Sequence, residues 1–285
     1  MADVIREALY ARSRAAWRLI RRGQDAEVRA NEETITNLIL IELSLLKAPG
    51  LSVRAFTKHQ ESKTGADWEM WLGNNVGQWL GLRIQAKAID LDSRKFPHLH
   101  YRASATSPFQ SDTLIDKALA SSPRLYPLYV LYTYAPPGTL RGGACRLYPR
   151  RTTVFGCSAV SAFQVQALRS PTEKNSLVDL SPHMFPWHCL VCRCYNAEVS
   201  LPHRAALFLR SQLSANYAEM AARLRGQGPD PGDEREFRYL RMQPDISERR
   251  PEYVTDLMAD REPALPDDLS AVVAIQENAS LEPVG

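Results

Sequence analysis

The sequence predicts a mixed α/β fold, and three observations carry that expectation. Residues 65–72 and 82–89 alternate apolar and polar side chains, as half-buried strands do. Residues 31–47 place Ile35, Leu38, Ile39, Leu43 and Leu46 at the spacing of one helix face. Residues 126–134 form an apolar run typical of a strand covered on both sides.

Taken in order, residues 1–24 read as a helix with Val4, Ile5, Leu9, Trp17 and Ile20 as its larger apolar positions and six arginines, among them Arg12 and Arg18. That helix is read as packing its stripe on the body with a solvated basic face, in preference to but compatible with a basic arm that touches phosphates. Asn31 is a good N-cap for the next helix, Glu32 and Glu33 suit the positive end of its dipole, and Pro49-Gly50 ends it. Residues 52–59 make a first strand, and a polar turn leads into the strand over 65–72. Between that strand and the one over 82–89, Gly73, Asn74, Asn75 and Gly77 supply hairpin chemistry. A loop rich in basic and aromatic residues follows. Ser111 or Asp112 then caps a helix carrying Leu114, Ile115, Ala118 and Leu119. Residues 31–134 thus read helix, three strands in an antiparallel meander, helix, strand.

The second half reads as mainly helical. Residues 158–169 and 204–225 carry helical periodicity, whereas 176–195 are broken by Pro182 and Pro186. From Gly226 the chain is rich in Pro and acids, although 269–275 look strand-like and 252–258 make a helical turn. The organisation expected is a basic N-terminal helix (1–30), a core (31–135), an extension packed on it (136–225) and an acidic, partly ordered tail (226–285).

The formal net charge of +3 conceals an asymmetry: residues 226–285 carry −8 and residues 1–225 carry +11. A basic body suits a polyanionic partner, although scattered surface Lys and Arg are the ordinary alternative. No run of about 18 apolar residues is present, so no membrane span is expected. With no export signal and five cysteines, reduced thiols in a cytoplasm are the expectation.

Chemistry concentrates on the two central strands. Residues two apart share a strand face, so Asp67 points with Glu69, and Gln85 with Lys87. If the strands pair, two acids, an amide and an ammonium converge, a set suited to metal-assisted attack on phosphate. Solvent-facing polar residues are the plain alternative. However, Gln85 and Lys87 lie among Leu82, Ile84, Ala88 and Ile89, where a lysine needs a partner.

A helical Glu, a strand bearing Asp and a strand bearing Gln-x-Lys, in this order, resemble the PD-(D/E)xK nuclease superfamily, in its Gln-x-Lys variant. Mrr-like restriction enzymes and effector nucleases of prokaryotic antiviral defence are of this kind. The resemblance covers roughly 110 residues and rests on short motifs whose order gives them weight. It implies a restriction-endonuclease-like αβββαβ core with a mixed sheet, extended by the C-terminal half, and Mg²⁺- or Mn²⁺-dependent hydrolysis of phosphodiester bonds, DNA before RNA. It implies Asp67, Gln85 and Glu33 as metal ligands, with Glu32 the alternate to Glu33 and Glu69 a second ligand or a partner for Lys87. Lys87 is then the general base or transition-state stabiliser. Arg94, Lys95, Tyr101 and Gln110 are candidates for phosphate contact, and each also reads as an ordinary loop residue. A second copy of the chain or a regulatory protein is expected as a further partner. The alternative is an inactive module of the same fold that binds nucleic acid or protein.

A second cluster, His188, Cys189, Cys192 and Cys194, has one zinc-type Cys pair and lacks the second unless Cys145, Cys157 or His183 comes round. Buried cysteines acting as small apolar residues are the preferred reading there. No phosphate-cradling glycine motif and no nucleophile elbow is present.

Overall fold

A computed structural model describes residues 2–55, 68–136, 138–140, 145, 151–169, 172–194, 196–225 and 243–277; for Ala2 and residues 214–225 it describes the backbone only. Helices α1 (Ala2–Asp25) and α2 (Glu32–Leu45) come first, followed by strands β1 (Leu51–Ala55), β2 (Trp68–Asn74) and β3 (Trp79–Ala88). Helix α3 (Gln110–Ala120) leads into β4 (Tyr126–Tyr132). The second half adds β5 (Cys157–Ser161), α4 (Ala162–Ala167), α5 (Leu177–Leu180), β6 (Phe185–Pro186), α6 (Leu201–Arg225), α7 (Glu252–Met258) and β7 (Ala271–Glu277).

The strands form one mixed sheet in the order β1-β7-β2-β3-β4-β5-β6. β2 and β3 are the antiparallel hairpin the sequence predicts, with a connection of only four residues between Asn74 and Trp79. Asn74 Oδ1 accepts from the backbone N–H of Val76 (3.2 Å) and Gln78 (2.9 Å), and Gly77 supplies the positive φ of 86° that the turn requires. β3 and β4 are parallel, joined through α3.

The meander expectation fails at β1. β7 lies between β1 and β2, antiparallel to the first and parallel to the second. Its Val272, Val273 and Ile275 favour a sheet interior, and both of its faces are buried up to Ile275. Residues 158–169 are corrected too: they divide into β5, which pairs with β4, and the short helix α4. Pairing along β4 outweighs a helical pattern that only the later residues keep. The C-terminal half is therefore not mainly helical in its role, because it supplies three of the seven strands.

Alternation places Trp68, Met70, Leu82, Ile84, Ala86, Val273 and Ile275 in the larger core. Helices α1, α2 and α6 contribute Ile5, Leu9, Ile35, Ile39, Leu43, Leu201 and Phe208 to it. The opposite face forms a smaller core of Trp71, Trp79, Ala118, Leu125, Val272 and Ala274, which takes in Val254 and Leu257 of α7.

Of α1's anticipated stripe, Ile5, Leu9 and Ile20 are buried, Trp17 is half-buried against Tyr134, and Val4 is exposed. The helix is docked tightly: Trp187 Nε1 donates to Leu9 O at 2.8 Å, and a Cβ added to Gly156 would lie 1.9 Å from Ser13 O. The apolar stripe of α1 thus packs on the body, as the preferred reading has it. In α2, Leu38 is exposed (46%) although its spacing suggested burial. No helix among the described residues is long and apolar enough to cross a membrane.

Candidate active site at the end of β3

β3 is buried along nearly its whole length. Leu82, Ile84 and Ala86 enter the larger core, which leaves Arg83, Gln85 and Lys87 on the other face. These three are 5%, 4% and 6% exposed, and they meet different fates.

Arg83 stands opposite Glu69 in the register of β2 and β3, with Nη1 3.5 Å from Glu69 Oε1, and also pairs with Asp268. Glu69 Oε2 accepts from Tyr253 OH (2.6 Å) and Trp71 Nε1 (3.0 Å). Burial raises the Glu69 carboxyl pKa despite the lowering influence of Tyr253, Arg83 and Trp71. Glu69 is therefore neither a partner for Lys87 nor open to a metal: both its oxygens are engaged and it is 1% exposed. Its place opposite Arg83, four residues before Lys87, also puts it roughly 13 Å along the strand.

Lys87 has no described ion-pair or hydrogen-bond partner, although it is as buried as Arg83. A buried ammonium without a counter-charge is costly and therefore uncommon. Gln85 shares its face, and its Nε2 makes a long 3.5 Å contact with Ala86 O. Asp67, the first-choice ligand, falls outside the described residues.

Helix α2 reaches the same end of β3. Asn31 caps it by accepting from Thr34 N–H at 2.8 Å, and Thr36 Oγ1 lies 2.7 Å from Tyr132 OH of β4. Ile89 N–H bonds to Tyr132 O, so Ala88 N–H, one residue earlier, faces the opposite edge of β3. There it donates to Glu32 Oε1 at 3.1 Å. Glu32 is thereby tied to β3, and Glu33 is half-buried in the same turn of α2.

α3 begins at this end too, because it runs back from β3 to start the parallel β4. Crevices beyond the carboxyl ends of parallel strands are the usual ligand sites of open α/β sheets. Gln110, the first residue of α3, donates its N–H to Tyr101 O at 2.8 Å and has a buried Oε1 with no hydrogen bond. Tyr101 is 51% exposed and meets His98 edge-on. Arg94 and Lys95 extend into solvent from a loop closed by Asp90 N–H to Lys95 O (2.7 Å) and stapled by Leu177 N–H to Arg94 O (3.0 Å).

The expected side-chain cap of α3 is absent: its N-cap is Phe109. Asp112 instead receives both Arg169 Nη1 (2.7 Å) and Nη2 (2.8 Å), and Gln166 Nε2 (2.7 Å). Burial pushes the Asp112 pKa up, but Arg169 and Gln166 outweigh it and hold it low. Arg169 and Arg102 both lie over the Phe109 ring, at 4.2 and 4.9 Å. Sequence reasoning missed this cluster, since no motif joins Arg102, Phe109 and Arg169 across the intervening chain.

Glu32, Glu33 and Gln85 offer only oxygen donors, which suits a hard dication such as Mg²⁺ or Mn²⁺ in kind. Among the described residues no trio of acids and histidines gathers at Lys87.

No curated protein matches the chain, and no solved structure matches it. A family does: the chain belongs to the family described as a family of unknown function (DUF6615), whose model matches residues 5–280.

Proposed function

We propose that the protein is a metal-dependent nuclease that hydrolyses phosphodiester bonds, in DNA before RNA, with its site at the end of β3. The observation that carries this reading is Lys87: a lysine 6% exposed, with no described counter-ion, at the carboxyl end of a parallel strand pair. Fold stability gives no reason to retain such a group, whereas a site that receives an anion does.

Glu32 or Glu33, Gln85 and Asp67 would hold the dication. When bound, it supplies charge neutralisation at the phosphoryl oxygens and a more acidic water. Gln85 contributes a neutral carbonyl, so helix α2 has to provide the carboxylate that a Glu at this position would otherwise bring. Lys87 holds its ammonium where charge grows on the scissile phosphate, or takes a proton from the attacking water when neutral. Gln110, at the start of α3, orients the strand, and Arg94, Lys95 and Tyr101 hold neighbouring phosphates.

The test is cleavage of single- and double-stranded DNA and of RNA by the full chain with Mg²⁺ or Mn²⁺. Lys87→Ala and Asp67→Ala are expected to abolish cutting, and Glu32→Gln or Glu33→Gln to impair it. Undiminished cleavage by the first two variants would sink the assignment. No cleavage by wild type, together with metal-independent nucleic-acid binding, would instead favour the inactive module.

A further inference from the structure

The second chemistry-bearing cluster of the sequence closes up in the fold. Cys189, Cys192 and Cys194 lie in and just after a 3-10 turn, Trp187–Leu190, that follows β6. Cys145 belongs to the connection between β4 and a second 3-10 turn, Thr152–Gly156. It nevertheless lies among them: its Sγ is 3.7 Å from Cys192 Sγ and 3.8 Å from Cys194 Sγ. Cys189 and His188 complete a second trio with Cys145, their ligand atoms within 4.8 Å of one another. Cys145, Cys189 and Cys192 are buried and Cys194 is half-buried.

Three features distinguish this cluster from chance burial of apolar cysteines. Zn–S bonds of about 2.3 Å make a tetrahedron whose S···S edges are about 3.8 Å, the spacing from Cys145 to both Cys192 and Cys194. A disulfide does not account for the group, because it joins two sulfurs at about 2.05 Å and Cys145 has several thiol neighbours. A backbone donor also points into the cluster: Cys194 N–H donates to Cys192 Sγ at 3.3 Å. N–H groups aimed at a sulfur stabilise its thiolate form, which is the form that binds metal.

From this geometry we infer a structural zinc site in which Cys145, Cys189, Cys192 and Cys194 are the four ligands. Soft thiolates select zinc over the hard cations suited to β3. Four protein ligands leave no open position, so the ion staples chain and does no chemistry on a substrate. His188, adjacent to Cys189, packs edge-on against Tyr10 at 5.5 Å and is left out of the set because four thiolates already fill a tetrahedral site. The staple would hold the connection after β4 against the Trp187 turn, which α1 grips through Trp187 Nε1 and Leu9 O. It would also fix Arg193, between two ligands, whose Nη2 donates to Glu277 Oε1 of β7 at 3.0 Å.

The test uses the full chain purified with reductant and without added chelator. Elemental analysis is expected to find about one zinc per chain. Exchange into Co²⁺ is expected to give the intense visible bands of tetrahedral thiolate coordination. Cys145→Ser and Cys192→Ser should lose the metal and lower Tm, whereas His188→Asn should keep it. Independently of how the serine variants fold, wild type stripped by chelator and titrated with Zn²⁺ gives a second readout, a rise in Tm with release of protons. Wild-type protein with negligible zinc and no Tm response to Zn²⁺ overturns the inference, as does a Cys145–Cys192 disulfide in place of metal. Loss of zinc in His188→Asn with retention in Cys189→Ser overturns the four-thiol set.

Discussion

Glu69 and Arg83 face each other across β2 and β3 as a paired register position, each almost sealed from water, with Tyr253 and Trp71 completing the hydrogen bonds of the acid. Removing one partner strands the other charge in the smaller core. Arg83→Ala is therefore expected to cost ~3–5 kcal/mol, measured by denaturant unfolding. The pH dependence has a definite sign. Burial raises the folded pKa of Glu69 above its ordinary 4.5, so the folded chain holds that proton more tightly than the unfolded chain. The stability from this group is complete below 4.5 and is lost as pH rises through the folded value. In Glu69→Gln that loss should vanish, so its Tm should gain on wild type between pH 4.5 and neutrality; parallel Tm profiles would refute this.

Glu277 has the opposite sign. Burial raises its pKa, but the hydrogen bonds and charges of Arg204 and Arg193 outweigh burial and hold it below 4.5. Its stabilisation is present above 4.5 and lost as pH falls through the folded value. The carboxylate also accepts from Leu201 N–H at 2.8 Å, at the start of α6. Glu277→Gln is expected to cost ~2 kcal/mol at neutral pH and to flatten the acid limb of a Tm–pH curve.

Lys87→Met should separate activity from stability. The thioether fills similar space without a buried charge, so Tm should hold or rise, while metal-dependent cleavage falls by at least about 100-fold. A large drop in Tm, with activity lost only in proportion to unfolded protein, would make Lys87 a structural residue.

Gly156→Ala tests the seating of α1. The new Cβ would lie 1.9 Å from Ser13 O and 2.7 Å from Trp17 N, both backbone atoms that cannot swing aside. The helix must shift, and a loss of ~1–3 kcal/mol of unfolding free energy, read as a lower denaturant midpoint, is expected. An unchanged midpoint would mean that α1 is not held by this contact.

A chain stopped after Arg225 lacks β7, and with it the partner of both β1 and β2. It is expected to show no cooperative thermal transition, which circular dichroism would reveal. The C-terminal segment therefore cannot be removed without losing the centre of the sheet.

Local signals were legible in the sequence wherever a residue's own neighbours decided its conformation. Asn31 announces α2, Gly77 announces the hairpin, and the alternation of Leu82, Ile84 and Ala86 with Gln85 and Lys87 announces the two faces of β3. What escaped was decided by residues far along the chain. Nothing near Ser52 or Trp68 signals that Val272 and Val273 will come between their strands. The same distance hid Tyr253 as a partner of Glu69, Cys145 as the neighbour of Cys192, and Arg169 as the partner of Asp112. Glu32 rather than Glu33 meets Ala88 because of how α2 seats on β4 through Thr36 and Tyr132, which periodicity alone does not specify.

The insertion of β7 between β1 and β2 also sets an order of events during synthesis. A ribosome has to deliver residues through Glu277 before either strand gains its inner neighbour. Until then the nascent chain offers two open strand edges beside Trp68 and Trp71, surfaces that chaperones bind and that otherwise aggregate. Pairing across so long a stretch of chain is slow. Folding of this sheet should accordingly wait on β7, and the sheet that positions Lys87 is completed only once residues through Glu277 have joined it.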